Sequence, residues 1–405
     1  MPIVSKSFRG LYAALCLLFM LIGMSMTMIG ATLPQLLEDF GWSYIGAGAV
    51  MAASAVGFFL ATYFAGILVA RIGVRKTIFF GIVMVFTGLI LFARTPSVAV
   101  NLMLNLAVGA GKGFIELSIN YSTLRIDKSG SGRALNLIHG FFAVGAITGP
   151  VVIGLLLRAA LPWTLLYRGI AGLFAVLAFT VTLLPFSLLG DDTDNLSKKK
   201  ISLVRYPAYW LGFACIFLYV GVEVGFSNWI TEYFFTVFHL PPAQSSFMVS
   251  LFWIGVLLGR MGIPIFYKGN RNDVLLISMG LLMSVSIIVL TIAGFLGSLS
   301  ILAIVAAVLV FLAGLGSSVI YPAVITFVGN AFPETQSEAI GFSAMGGGVG
   351  AFIFPLVMSN IASVYGIRTG FVFYAFFSIA VVLLCVMLLK SIKRKKMGSI
   401  NPGVD

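Results

Sequence analysis

Apolar windows recur along almost the whole of this 405-residue chain, and that recurrence restricts its fold more than any other feature. A hydrocarbon core needs about 20 apolar residues for one helix to cross it. Windows of that length fall at 11–33, 44–70, 77–94, 98–124, 134–160, 166–189, 207–236, 243–266, 273–296, 299–329, 336–362 and 367–391. Inside lipid only helices and closed barrels satisfy their own backbone groups. Twelve such segments, separated by short polar punctuation, therefore predict an all-α polytopic membrane protein with twelve transmembrane helices. Composition agrees, because 60% of residues are hydrophobic and 9% charged, against roughly 45–50% apolar in soluble domains.

The 25 Lys and Arg outnumber the 13 Asp and Glu, giving a net charge of +12. Threading the segments alternately across a bilayer, with the N-terminus inside, explains this excess without a nucleic-acid partner. Lys6, Arg9, Arg71, Arg75, Lys76, Arg125, Lys128, Arg133, Lys198, Lys199, Lys200, Arg205, Arg260, Lys268, Arg271, Lys390, Lys393, Arg394, Lys395 and Lys396 then share one side. Arg94, Arg158, Arg168 and Arg368 fall on the other, and Lys112 alone lies within a span. This is the positive-inside pattern of a multi-pass protein of the cytoplasmic (inner) membrane, with both termini cytoplasmic. The first apolar run has no convincing small-x-small cleavage site and reads as a retained helix, not a signal peptide. Cys16, Cys215 and Cys385 all fall within spans as small apolar residues, with no disulfide framework or metal site.

The longest and most charged polar interval, "GDDTDNLSKKKISLVR", separates the sixth segment from the seventh. It predicts a six-helix bundle over 1–189, a cytoplasmic linker over 190–206, a second bundle over 207–391 and a cytoplasmic tail over 392–405. A shift of 205 residues lays Val144-Gly145-Ala146 on Val349-Gly350-Ala351, Pro150 on Pro355, and Gly109 and Gly111 on Gly314 and Gly316. These matches indicate two parallel six-helix repeats, the architecture of major facilitator transporters, which bind substrate between the halves near the midplane.

The loop "GILVARIGVRK" resembles the gate signature of that superfamily through Gly66, Arg71, Gly73, Arg75 and Lys76, with Ala70 where an acidic residue is usual. Within the superfamily the chain looks most like the fucose:proton symporter branch. The residues that carry this likeness are "LPQ" at 33–35, "IELSIN" at 115–120, "LNLIHGFFAVGAITGP" at 135–150 and "YVGVEVGFSNWI" at 219–230. "GLGSSVIYPAVITFVGNAFP" and "GFSAMGGGVGAFIFP" extend it into the tenth and eleventh segments. The resemblance implies a proton-coupling role for Glu116 and places Asn120 and Asn136 near a sugar site. One departure is Gly30, which stands where the fucose permease has a substrate-binding aspartate.

Read from the residues alone, Glu116, Glu223 and Glu232 are the acids within spans, and an ionisable group at membrane depth is a functional candidate by default. Glu116 has Lys112 one helical turn away, while Glu223 has no cation nearby in sequence and is the easier of the two to protonate. Glu232, nearer a span end, reads as solvated. Asn101, Asn105, Lys112, Glu116 and Asn120 form one polar stripe on the fourth segment, facing either a cavity or an interhelical hydrogen-bond seam. Lys before Glu is the less favourable order for such a pair, so Lys112 either tunes Glu116 or favours an anionic solute such as a sugar acid. Asn136 and His139 share a face of the fifth segment. Asn228, Trp229, Tyr233 and Trp253 offer the amides and aromatic faces that suit sugars, although Trp229 and Tyr233 fit an interfacial belt equally well. Trp42, Trp163 and Trp210, at segment edges, are assigned to that belt, and Tyr321, 205 positions after Glu116, is a cavity candidate.

No phosphate-cradling loop or nucleophile–His–acid set is present, so no enzyme and no cofactor is expected. The expected function is a monomeric secondary active transporter of a sugar-like solute by alternating access, coupled to protons or else to sodium. Proton-coupled export of amphipathic compounds is the alternative, drawn from "GAITGPVVIG" at 145–154 and the abundance of Phe.

Overall fold

A computed structural model describes residues 5–126, 133–189, 203–267, 271–297, 300–332 and 335–400. Its long elements are all helices: α1 (Arg9–Ala31), α2 (Leu33–Phe40), α3 (Tyr44–Ile72), α4 (Val74–Leu91), α5 (Val98–Ile126), α6 (Arg133–Arg158), α7 (Thr164–Leu183), α8 (Pro207–Phe238), α9 (Pro242–Phe266), α10 (Asn272–Leu296), α11 (Ser300–Ser317), α12 (Ile320–Ala331) and α13 (Gln336–Ile400). Among the described residues, eleven stretches are long and apolar enough to cross a membrane. The last of them, Ala339–Arg394, has 56 residues, about 84 Å of helix against a hydrocarbon core of about 30 Å. Gly366 breaks it with φ 81° and ψ 161°, which makes two crossings and twelve in all. Gly73 has nearly the same dihedrals, φ 84° and ψ 157°, between α3 and α4. Each is a one-residue turn in the left-handed region, where a side chain is strained.

Two details depart from the sequence reading. The stretch after the first span is not a loop: α2 starts with Pro34 in its first turn, where no backbone N–H is missed, and ends at Gly41, φ 62°. The tenth span, a single window over 299–329, breaks at Ser318–Val319, and Pro322 sits in the first turn of α12, where proline fits. Most of the expected linker, 190–202, and the tail end, 401–405, lie outside the described residues.

The chain forms two compact units, Met1–Thr193 with Ser227–Trp253, and Asp194–Phe226 with Ile254–Asp405. In the first, α3 and α4 pack on α5, α1 on α6, and α4 on α7. In the second, α10 packs on α11 and α13, and α12 on α13. The same glycine contacts recur in both. A methyl at Gly57 on α3 would collide with the Leu106 carbonyl of α5, and one at Gly255 on α9 with the Phe311 carbonyl of α11. Gly145 meets the Met20 carbonyl just as Gly350 meets the Phe217 carbonyl. Lipid supplies no hydrophobic drive between helices, so close approach of backbones through small residues takes its place.

Away from these contacts the surface is apolar: Phe179 is 67% and Leu183 71% exposed on α7. A groove of 690 Å³ lined by Leu258, Met261, Ile263, Leu275 and Leu315 is apolar too and holds none of the buried charges. Trp42 and Trp163 are not in an interfacial belt. Both are buried, their indoles donating to the Pro96 carbonyl at 2.7 Å and to Asp39 Oδ2 at 2.8 Å, so they lock the turns at one end of the first unit.

The repeated contacts predict that Gly57→Val and Gly255→Val each abolish a monodisperse peak in detergent size-exclusion chromatography. Gly169→Ala, whose new methyl has nothing within 4 Å, leaves the profile unchanged.

Candidate functional site

Three clusters of buried polar groups stand out. The first belongs to α5 in the first unit. Gly111 fits against Gly81 and Val85 of α4, and Gly113 against Phe58 of α3, so the "GKG" sequence packs α5 on both neighbours. Between the two glycines Lys112 is buried, 8% exposed. Glu116, one turn on and half-buried, interacts electrostatically with it. One turn further, Asn120 has a buried Oδ1 with no hydrogen-bond partner among the described residues.

The polar stripe of α5 divides by function. Asn105 Nδ2 donates to the Val50 carbonyl at 2.6 Å, and Asn101 caps the α4–α5 turn through Ala93, Thr95 and Ser97. That end is an interhelical seam. Lys112, Glu116 and Asn120 are left as the chemically available part.

The second cluster lies in the second unit and corrects the sequence reading of Glu223. Arg260, expected on a cytoplasmic flank, lies within α9 and brings Nη2 to 3.6 Å from Glu223 Oε1. Glu223 on α8 is buried, 7% exposed, and so does have a cation. The Tyr219 hydroxyl, one turn away, lies 2.5 Å from the same Oε1 and 2.9 Å from the Ser317 carbonyl. Arg260 Nε donates to the Ser318 carbonyl at 3.4 Å. Helix termini leave carbonyls without intrahelical partners, and here the break between α11 and α12 presents two of them to Tyr219 and Arg260. Gly259, fitted against Ser318, brings α9 close enough for this. Tyr321 stands half-buried in the first turn of α12. Tyr219 and Arg260 were both missed from sequence. The four-residue spacing of Tyr219 and Glu223 was a readable signal, but nothing local ties Arg260 to either.

The third cluster is on the segment Ser227–Trp253, again in the first unit. Glu232 is not solvated: it is 3% exposed, and Oε1 accepts from Tyr44 at 2.8 Å and Thr236 at 2.6 Å. Trp229 and Tyr233 are fully buried and belong to no belt. Trp253 donates its indole N–H to Ser227 Oγ at 2.9 Å and packs edge-on to Phe142. Asn228 is half-buried, and its backbone lies against Gly30, where an added Cβ would stand 2.9 Å from the Asn228 Cα.

Other expected residues fall apart from these clusters or fit them loosely. His139 on α6 packs edge-on to Phe19, ring centroids 4.9 Å apart. Asn136 is on α6 too, and its side chain lies outside what the structure describes. Of the gate residues, Gly66 is within α3, Gly73 forms the α3–α4 turn and donates its N–H to the Val69 carbonyl at 2.9 Å. Arg71 and Lys76 are exposed, and Arg75 donates to the Thr182 carbonyl of α7.

Removing one member of a buried ion pair is costly because it strands the other, typically by about 3–5 kcal/mol; Arg260 is a third exposed, which puts the loss nearer the lower figure. Arg260→Met is therefore expected to lower the melting temperature in detergent more than Arg260→Met combined with Glu223→Gln. A double variant no more stable than the single one refutes the pairing.

The profile of the Major Facilitator Superfamily matches residues 15–310 and 268–404. An uncharacterized MFS-type transporter of Yersinia pestis is 25% identical over 365 residues, 86% of this chain and 90% of that one. A glucose/galactose transporter of Brucella abortus is 26% identical over 385 residues, covering 90% and 91%. Among solved structures, a variant of the nucleoside transporter NupG superposes with a TM-score of 0.79 at 15% identity, covering 94% of this chain and 98% of that one.

Proposed function

Since the chain belongs to the Major Facilitator Superfamily, we propose that it is a secondary active transporter that moves a sugar-like solute across the cytoplasmic membrane, by alternating access and in symport with protons. The observation that carries the coupling is that each unit holds an acid beside a base with one of the two buried, Glu116 with buried Lys112 and buried Glu223 with Arg260. A proton arriving on either acid cancels its charge and leaves the neighbouring cation to seek another acceptor. A solute oxygen is such an acceptor, so proton and solute favour one another's binding. Loss of the proton restores the pair and displaces the solute.

The residues proposed to meet the solute are Lys112, Asn120, Asn136, His139, Asn228, Trp229, Trp253 and Tyr321. Amides and cations suit hydroxyl rims, and aromatic faces suit the apolar C–H faces of a sugar. The name of the Brucella relative, a glucose/galactose transporter, supports the same class. Two six-helix halves over 1–189 and 207–391, joined by the 190–206 linker and followed by a tail at 392–405, are the proposed organisation of the chain. The positive-inside charge pattern puts both termini and the gate residues Gly66, Arg71, Gly73, Arg75 and Lys76 on the cytoplasmic side. The working unit is a monomer in the bilayer.

Uptake of radiolabelled hexoses, deoxyhexoses and sugar acids into proteoliposomes, with an imposed proton or sodium gradient, tests the reading. Glu116→Gln and Glu223→Gln are each expected to abolish accumulation driven by the pH gradient while retaining solute exchange at equilibrium. Undiminished proton-driven uptake in both variants refutes coupling through these carboxylates, and accumulation driven by sodium alone replaces the ion.

A further inference from the structure

The buried cluster around Glu232 plays no part in the coupling just described, yet it holds polar atoms that nothing satisfies. Glu232 Oε2 and Trp229 Nε1 are both buried without a hydrogen-bond partner among the described residues. Trp229 and Glu232 are three residues apart on α8 and so share a face. The Tyr44 ring of α3 packs edge-on to Trp229, centroids 5.5 Å apart, while its hydroxyl donates to Glu232 Oε1. All of these residues belong to the first unit.

A buried polar atom left unpaired is costly, and two on one helix face call for a reason. A carboxylate offers about four acceptor sites, and the Tyr44 and Thr236 hydroxyls use two, both on Oε1. The indole N–H is a donor only. A hydroxyl group answers both vacancies at once, giving its proton to Oε2 and a lone pair to the indole. A carboxylate ligand would serve the indole alone and be repelled by Glu232; an ammonium would serve Oε2 alone.

We propose that Glu232 and Trp229 form a binding subsite for a hydroxyl group of the transported solute, with that hydroxyl on Oε2 and the Tyr44 phenol on Oε1 of the same carboxylate. The proposal rests on the reading of the protein as a transporter of hydroxylated solutes. It makes Glu232 a recognition residue, separate from the acids paired with Lys112 and Arg260, and it favours neutral sugars over sugar acids. Because both oxygens share one carboxylate charge, a solute hydroxyl that bonds Oε2 draws charge from Oε1 and weakens the Tyr44 bond from α3.

The test is equilibrium counterflow in proteoliposomes with D-glucose, D-galactose, D-glucuronate and D-glucosamine. Glu232→Gln replaces an acceptor by an NH₂ donor in one of its two orientations and weakens the other. Glu232→Gln and Trp229→Phe are each expected to raise KM for the neutral sugars about tenfold or more, with the maximal rate little changed. Tyr44→Phe removes a donor that draws charge from the shared carboxylate, strengthens Oε2 as an acceptor and is expected to lower KM, and it keeps the test valid where Glu232→Gln does not fold. Unchanged KM in Glu232→Gln and Tyr44→Phe, or a loss confined to the maximal rate, overturns the subsite while leaving the transport reading intact. A wild-type protein that exchanges glucuronate or glucosamine but neither neutral sugar also overturns it. Wild-type protein that exchanges none of the four sugars overturns the transport reading itself, and the subsite with it.

Discussion

Hydrocarbon offers a backbone N–H nothing to bond with, and the rest of this structure follows from that. Every crossing must be a helix that satisfies itself, and helices so satisfied have no hydrophobic reason to associate, since lipid is as apolar as their side chains. Close contact has to come from shape. The collisions that a methyl would make at Gly57, Gly145, Gly255 and Gly350 show how it is obtained: backbone laid on backbone, at equivalent places in both units. The large apolar side chains are then free to point outward, as Phe179 and Leu183 do.

The same medium makes every charge within a span answer to a partner. Arg168 shows that a cation can be satisfied with no site involved: its guanidinium donates at 2.6 Å to the carbonyls of Leu89 and Phe92, where α4 ends. Arg260 is half such a residue, bound to the Ser318 carbonyl of a broken helix and also near a carboxylate. Among the described residues, Glu116 is the charged partner of Lys112. The distinction matters because a cation whose needs are met by carbonyls has nothing to exchange, whereas one held by an acid is released when that acid takes a proton.

What the sequence made legible is what repeats locally. Segment length gave the twelve crossings, and the 205-residue shift picked out glycines such as Gly145 and Gly350 that make equivalent contacts. Lys112 and Glu116 could be paired because one turn of one helix separates them. Contacts between helices distant in sequence were not legible. Nothing near Glu223 announces Arg260, 37 positions later, and nothing near Glu232 announces Tyr44, 188 positions away. Both acids were therefore given the wrong surroundings, one too bare and the other too wet. Trp42 and Trp163 were misread for a related reason: a tryptophan at a span end suits a lipid interface as well as a packed turn, and only the Pro96 carbonyl and Asp39 decide between them.

Gly30 bears on the cluster around Glu232. The resemblance to the fucose branch puts an aspartate at this position, and glycine is a departure from it. The structure shows that the space is taken: α8 presses its backbone at Asn228 so close that even a methyl at Gly30 would meet the Cα and the carbonyl oxygen at 2.9 Å. A carboxylate on α1 and this approach of α8 exclude one another. One helical turn beyond that contact α8 carries its own buried carboxylate, Glu232, with an oxygen unclaimed. The acid that α1 has no room for is matched by one on the helix that filled the room, and the glycine is what lets α8 sit there.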